Sequence, residues 1–474
     1  MNNMMNNTNM AATEQVFNLR RSFQSGITKH IDWRHKQLKA MLLMFEENRI
    51  LFVEALKNDL YKDPFESLLM EIDFICNEII YTLNNFESWV SPVKVSKDFP
   101  NLADDCFIKK EPFGVILVIA PWNYPIQLLF SPLIGILAAG NCAMLKPSEF
   151  APQTSQLIET LIPRYMDTEC ICVYPGGTEE LTDLLDQRFD HIFFAGSSSF
   201  GRAVMAAASK FLTPVTLQLS SKCPVYVDEN CNLEVVAQRI IWGKLINVGQ
   251  NCVAPDYVIC NFEIQDLLFE RMQMAIQKFY GNEINGSEFY GKIANEQQYQ
   301  RLKNLLMRQQ PTYGGRVDDT QQLITPGLII NAKPGDPFME EEIFGPILPI
   351  VPVRSADEAI DLINSYEKPL ALYLFSKDKR LIQQFLTETS SGGVCINDTV
   401  VHTALNTLPF GGVGHSGMGY YHGKFSFDNF SHHKSVMWKS MALESVNSIR
   451  YPPYNERNYR RLQWVLRKSL KRGH

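Results

Sequence analysis

The chain opens on helix-periodic text. Between residues 13 and 89 apolar positions recur every three or four residues, and Leu69, Ile72, Ile75, Ile79, Leu83 and Phe86 mark one stripe of a long helix. Asp63-Pro64 suits the start of that helix, because proline is tolerated in a first turn. The pattern then changes. Residues 115–120 are a continuous apolar run between Gly114 and Pro121, as expected of a strand buried on both faces. Short runs at 142–145, 171–174 and 191–194 predict three more strands, and helical stretches near 126–139, 154–165, 179–185 and 200–207 separate them. Alternation at this spacing predicts a parallel, doubly wound sheet with right-handed crossovers. Ligands of such sheets bind beyond the carboxyl ends of the strands.

Residues 215–219 end this region, and the pattern restarts with Tyr226-Val227, a helix over 234–245 and strands near 328–331 and 348–351. The expected fold is therefore α/β, with one doubly wound domain built from residues 11–102 and 112–218 and a second α/β domain over 219–408. The polar, alternating stretch 103–111 and the segment 424–450, centred on 434–444, read as extended arms for bridging and oligomerisation. A basic tail spans 451–474, and no internal repeat is visible.

Composition narrows the choice of partners. A chain of 474 residues that is 45% hydrophobic and 20% charged suits a soluble globular protein of two or three domains. A net charge of -6 leaves no basic footprint for nucleic acid. The ten cysteines show no paired C-x-x-C spacing, so neither a zinc site nor a disulfide framework is expected, and reduced thiols point to a cytoplasmic setting. No segment reaches the roughly 18 apolar residues of a membrane span. Residues 1–9 lack the features of a signal peptide and read as a frayed tail. At the other end Arg457, Arg460, Arg461, Arg467, Lys468, Lys471 and Arg472 interleave with Leu462, Trp464, Val465, Leu466 and Leu470. Two readings stand there: a solvated tail with a few packed residues, or a basic amphipathic helix making peripheral contact with an anionic membrane.

Candidate chemistry begins with Gly249-Gln250-Asn251-Cys252, which follows the 234–245 helix. A cysteine on a loop between packed elements is within reach of a substrate, and its thiolate is a good nucleophile. Taken alone, the same residue reads more readily as a buried inert thiol. Gly196-Ser197-Ser198-Ser199-Phe200-Gly201 follows a strand and opens a helix, where small residues and a helix N-terminus favour phosphate, although a plain strand-to-helix turn has the same look. His415, His422, His432 and His433 lack thiolate or carboxylate support in the sequence, and no metal site is expected from them.

Five motifs occur in a telling order: Pro121-Trp122-Asn123-Tyr124-Pro125, Lys146-Pro147-Ser148-Glu149, Gly249 to Cys252, Glu341-Glu342-Ile343-Phe344-Gly345-Pro346 and Pro409-Phe410-Gly411-Gly412. Together they resemble the aldehyde dehydrogenases over residues 13–452, and the text at 418–427 and 430–433 is similar to the class 3 branch. The resemblance implies NAD- or NADP-dependent oxidation of an aldehyde, with medium- or long-chain or aromatic substrates, by a homodimer. It implies that Cys252 forms a thiohemiacetal and then a thioester, with the Asn123 amide and the Cys252 backbone N–H facing the oxyanion. It also places Lys146 and Glu149 at the adenine ribose and Gly196, Ser197 and Gly201 along the cofactor. Glu342 and Phe344 fall at the nicotinamide ribose and ring.

One motif departs from the family. Gln218-Leu219-Ser220-Ser221 stands where the family carries Glu-Leu-Gly-Gly. The family's glutamate takes a proton from the water that hydrolyses the thioester; an amide does not, and general base catalysis is worth roughly 10²–10⁴-fold. The two serines add Cβ groups beside the expected nicotinamide position. Three readings follow: a dehydrogenase with slow deacylation that uses Glu342 as a substitute base, an acylating dehydrogenase that passes its acyl group to a thiol such as coenzyme A, or a catalytically weak binding or scaffold protein. Intact Cys252, Asn123, Lys146 and Glu342 favour an enzyme.

Overall fold

All five strands expected for the first sheet are present in the computed structural model, which describes residues 11–98, 101–284, 287–441 and 444–470. The sheet has six strands in the order Gly417–Met418, Val215–Leu219, His191–Gly196, Val115–Ile119, Cys142–Lys146 and Ile171–Val173. Every pairing is parallel except the first. Val115–Ile119 and Cys142–Lys146 are buried along their whole length, which is why they read as unbroken apolar runs rather than alternating ones. Helices Gln127–Ala139, Pro152–Tyr165, Thr178–Leu185 and Ser198–Ser209 supply the crossovers.

Ahead of this sheet lie helices Ala12–Ser25, Ile31–Glu47, Arg49–Leu60 and Asp73–Val90. Asp63 caps the short helix Pro64–Ser67 by accepting the Phe65 N–H at 2.7 Å. The predicted stripe is correct from Ile72 onward, with Ile72, Ile75, Ile79 and Phe86 all in the core, but Leu69 points outward. The reason is a π-helical turn over Leu68–Ile72, whose extra residue rotates the preceding positions off the buried face. Glu71 and Glu78 lie inside on this face, both buried.

A second, seven-stranded sheet runs Tyr313–Gly314, Gly327–Ile329, Ile347–Val353, Tyr257–Asn261, Pro224–Val227, Ala371–Phe375 and Gly393–Ile396, again parallel except at its first pair. The chain crosses from one sheet to the other between Leu219 and Pro224, so Gln218 is the last residue but one of the last parallel strand of the first sheet.

The predicted arms meet each other. Asp105–Pro112 pairs antiparallel with Ser431–Trp438 on one side and with Val93–Lys94 on the other. The expectation of an extended segment over 424–450 needs correction, because Gly423–Asn429 is a helix and the strand stops at Trp438. Within the tail, Glu456–Leu470 is helical. Residues 1–9 and 471–474, and with them Lys471 and Arg472, lie outside the described residues.

Candidate functional site

The Cys252 loop is set by three consecutive left-handed residues. After helix Leu233–Leu245, Asn247, Val248 and Gly249 have φ of 51°, 58° and 76°. A β-branched residue is a genuine outlier there, and such conformations persist only where the surroundings over-determine them. They do so here. The Glu66 carboxylate accepts the Asn247 N–H at 3.0 Å, and the Asn247 amide donates to the carbonyls of Asn123 (3.0 Å) and Gln250 (3.1 Å). The Gln250 amide donates to the Asn247 and Lys292 carbonyls while its oxygen accepts the Ala294 N–H. Gly249 is required, since a Cβ would come within 2.3 Å of the Gly345 carbonyl oxygen.

Cys252 is thereby delivered to the end of the Gln218 strand. The Gln218 side chain is 4% exposed; its Nε2 donates to Cys252 Sγ at 3.1 Å and its Oε1 accepts the Tyr421 hydroxyl proton at 2.5 Å. Burial pushes the Cys252 thiol up to about 12, the Glu342 charge adds to this, and the Gln218 donor and the backbone N–H groups of Cys252 and Val253 pull it back. Asn123 lies against the same loop, its Nδ2 donating to the Gln250 carbonyl at 3.2 Å. Its own carbonyl accepts from Lys62 Nζ at 3.2 Å.

Glu342 and Phe344 reach the site on a segment clamped from behind. Lys222 Nζ bonds Asp256 (2.5 Å) and the carbonyls of Phe338 and Glu341, Asp256 accepts the Ile343 N–H at 3.0 Å, and Arg301 donates to the Glu342 and Ile343 carbonyls. Desolvation raises the Glu342 carboxyl to about 8, Asp256 adds to the shift, and Ser220, Lys222 and Arg301 oppose it. Phe344 packs edge-on to Trp122, ring centroids 5.6 Å apart. Of the two serines, Ser221 Oγ accepts the Leu370 N–H at 2.8 Å, and Ser220 lies beside Glu342 and opposes the rise of its carboxyl.

The remaining expected residues lie along the carboxyl ends of the first sheet, apart from Cys252. Lys146, at the end of its strand, is buried, donates to the Pro147 and Gly176 carbonyls and faces Glu149 at 3.6 Å; burial lowers its pKa although Glu149 raises it. Ser197 caps the twelve-residue helix Ser198–Ser209 by accepting the Phe200 N–H. A Cβ on Gly201 would lie 2.5 Å from Leu219, so this glycine lets the helix pack on the Gln218 strand. A Cβ on Gly196 would come within 2.7 Å of the Phe194 ring, which keeps the backbone bare at the helix entrance. This row of a buried ammonium, a bare glycine turn and a helix N-terminus fits an extended dinucleotide such as NAD or NADP.

Several participants were not singled out from the sequence. Lys62 and Glu71 form a buried ion pair behind Asn123, and Asp256 and Arg301 hold the Glu342 segment. Tyr421 sits inside a quoted motif without an assigned task. Glu71 and Glu78 carry the only warning signal, a carboxylate at each of two positions beside an apolar stripe. The histidines disperse: His422 faces Glu78 and Ser131, His415 faces Glu367, and His433 lies 3.6 Å from Asp428.

Comparison with known proteins places the chain in one family. The model of the "Aldehyde dehydrogenase family" matches residues 5–436. Human "Aldehyde dehydrogenase family 3 member B1" is 47% identical over 444 residues, 94% of this chain and 95% of that protein. Rat "Aldehyde dehydrogenase, dimeric NADP-preferring" is 46% identical over 441 residues, 93% and 97% of the two chains. The substrate-bound Staphylococcus aureus AldH superposes with a TM-score of 0.93 at 41% identity, covering 96% of this chain and 99% of that one.

Proposed function

The chain belongs to the aldehyde dehydrogenase family and carries out NAD(P)-dependent aldehyde oxidation; we propose that its reaction runs through Cys252 and that Glu342, in place of residue 218, activates the deacylating water. The observation that carries this reading is the pairing of an amide at Gln218, bonded to the sulfur, with a Glu342 carboxyl close enough to raise the Cys252 thiol and itself lifted to about 8.

Cys252 sulfur attacks the aldehyde carbon, and the oxyanion that develops meets the Cys252 backbone N–H and the Asn123 amide, which has one N–H left after its bond to Gln250. Lys146, Glu149, Gly196, Ser197, Gly201 and Phe344 would hold NAD or NADP. When bound, the cofactor accepts the hydride that converts the adduct to a thioester. Glu342 then takes a proton from water, hydroxide attacks the thioester carbon, and the acid leaves as the thiol is restored. With no carboxylate at residue 218, deacylation is the slow half. A single-turnover assay tests this by following NAD(P)H formation and acid release separately: a burst followed by slow acid release is expected. Equal rates from the first turnover would overturn it.

Gln218 equally supports a second reading, transfer of the acyl group to a thiol such as coenzyme A, which predicts an acyl thioester product and faster turnover with added thiol. A binding or scaffold protein would give no burst. Medium- or long-chain and aromatic aldehydes are the proposed substrates, on the likeness to the class 3 relatives.

We further propose a homodimer formed through the outer edge of the Ser431–Trp438 strand, where Met437 and Trp438 are 53% and 71% exposed. The relative from rat is described as dimeric. The tail helix Glu456–Leu470 presents Arg457, Arg461 and Arg467 beside exposed Leu462, Trp464 and Leu466, a pattern that fits the surface of an anionic membrane on the cytoplasmic side. Among the described residues no helix is long and apolar enough to cross a membrane. Flotation with phosphatidylserine vesicles, and its loss in Arg460→Glu/Arg461→Glu, tests the contact.

A further inference from the structure

The reaction above leaves the Gln218 side chain idle, yet both of its ends are bonded inside the protein. Resting on the reading of Cys252 as nucleophile, we propose that the Gln218 amide stabilises the thiolate form of Cys252 against its burial and that Tyr421 is the positioning residue that turns the amide to do so. An amide has a donor end and an acceptor end. A phenol has one proton to give, and Tyr421 gives it to Gln218 Oε1 at 2.5 Å, which leaves the NH2 facing sulfur at 3.1 Å. A thiolate only accepts, so this is the orientation that favours it.

Neither residue has freedom to turn away. Gln218 is paired through its backbone with Ala195 on one side and Gly417 on the other. Tyr421 is buried, with its ring against Phe193 (5.1 Å), Phe410 (5.5 Å) and His422 (4.5 Å), and its backbone exchanges two hydrogen bonds with Phe410. The groups that act on the sulfur sort by sign. Glu342 opposes a thiolate, and the phenols of Tyr124, Tyr373 and Tyr421 stay protonated in their buried places. Cys223, also protonated, gives its proton to the Cys252 carbonyl. The Gln218 amide and the backbone N–H groups of Cys252 and Val253 are the donors that favour the anion. A carboxylate at residue 218 would act in the opposite direction. The exchange of glutamate for glutamine thus gives the first chemical step what it takes from the second.

The test is the rate of Cys252 alkylation by iodoacetamide against pH in the full-length chain, with the site read by mass spectrometry. Tyr421→Phe is expected to slow alkylation about tenfold at each neutral to mildly alkaline pH, the loss of thiolate that a one-unit rise brings. Gln218→Met should slow it at least as much, and the double variant no further than Gln218→Met alone, because the tyrosine acts only through the glutamine. Unfolding would move the profile the other way, towards the ordinary thiol value, so a structural loss is distinguishable. An unmoved profile in Tyr421→Phe, or shifts that add in the double variant, would overturn the assignment while leaving Cys252 as nucleophile. If Cys252→Ala leaves NAD(P)H formation unchanged, the nucleophile reading fails and the proposal with it.

Discussion

Lys62 and Glu71 form an ion pair with neither side chain exposed, Nζ lying 2.5 Å from Oε1. The other Glu71 oxygen accepts the N–H groups of Ile126 and Gln127, where the helix Gln127–Ala139 begins, and Lys62 also bonds the Asn123 carbonyl and faces the Tyr124 ring at 4.1 Å. The pair ties the first helical layer to the residue facing the substrate. Replacing Lys62 with methionine strands a buried carboxylate, which typically costs about 3–5 kcal/mol. Thermal unfolding should show a large loss in Lys62→Met and a partial recovery in Lys62→Met/Glu71→Gln, with turnover reduced in both.

Cys252→Ala should abolish NAD(P)H formation, and Gln218→Glu should change two rates in opposite directions. Steady-state turnover is expected to rise, within the roughly 10²–10⁴-fold worth of a general base, while the burst slows as the thiolate loses its donor. Rapid-mixing absorbance at 340 nm reads both. A burst that quickens alongside turnover would argue against a donor function for Gln218.

The Glu342 carboxyl, raised to about 8 by burial, acts as a base only when deprotonated. Acid release should therefore increase as pH rises through about 8, and Glu342→Gln should remove that limb while keeping the burst. Stability runs the other way. Between the ordinary value of 4.5 and about 8 for Glu342, and about 7 for Glu66, the folded chain binds protons that the unfolded chain has released. Through these carboxyls stability should fall with rising pH above 6.5, where the opposing effect of His191 and His402, lowered to about 4 by burial, has ended. Urea unfolding at pH 6.5 and pH 8 checks the sign, and a slope of opposite direction would remove the assignment.

Gly249→Ala adds a Cβ at a φ of 76°, within 2.3 Å of the Gly345 carbonyl. Strain of this kind is worth about 1–3 kcal/mol, and the displaced Gly345 adjoins Phe344. The expected result is a modest loss of thermal stability with a disproportionate loss of turnover, measured as melting temperature and kcat on one preparation.

Trp438→Glu places a charge on the outer strand edge proposed to join two subunits. Sedimentation velocity at micromolar concentration should show a dimer for the native chain and a shift towards monomer for the variant.

Much of the fold was legible because it rests on local pattern. Val115–Ile119 and Cys142–Lys146 could be read as buried strands from their uninterrupted apolar text, and Gly249, Cys252 and Glu342 from motif order. What escaped depends on distant pairing. No local signal brings Tyr421 to Gln218, 203 positions away, or Lys62 to Asn123. Leu69 was misplaced because a π-turn inserts one residue into an otherwise regular helix, and nothing in the run from Leu68 to Ile72 marks that insertion. The two serines raised an expectation of crowding; the structure gives Ser221 the Leu370 N–H as a partner and sets Ser220 beside Glu342.

The antiparallel bond between Gly417 and Gln218 also orders events during synthesis. A ribosome releases the Cys252 loop long before it makes Gly417 and Tyr421, so a nascent chain displays its thiol with no partner to set the Gln218 amide. On this proposal the Gln218 amide is set only once Gly417 and Tyr421 have been made, shortly before the Ser431–Trp438 strand that pairs with Asp105–Pro112. A chain cut short by premature termination would thus carry a complete nucleophile loop and an unaligned one.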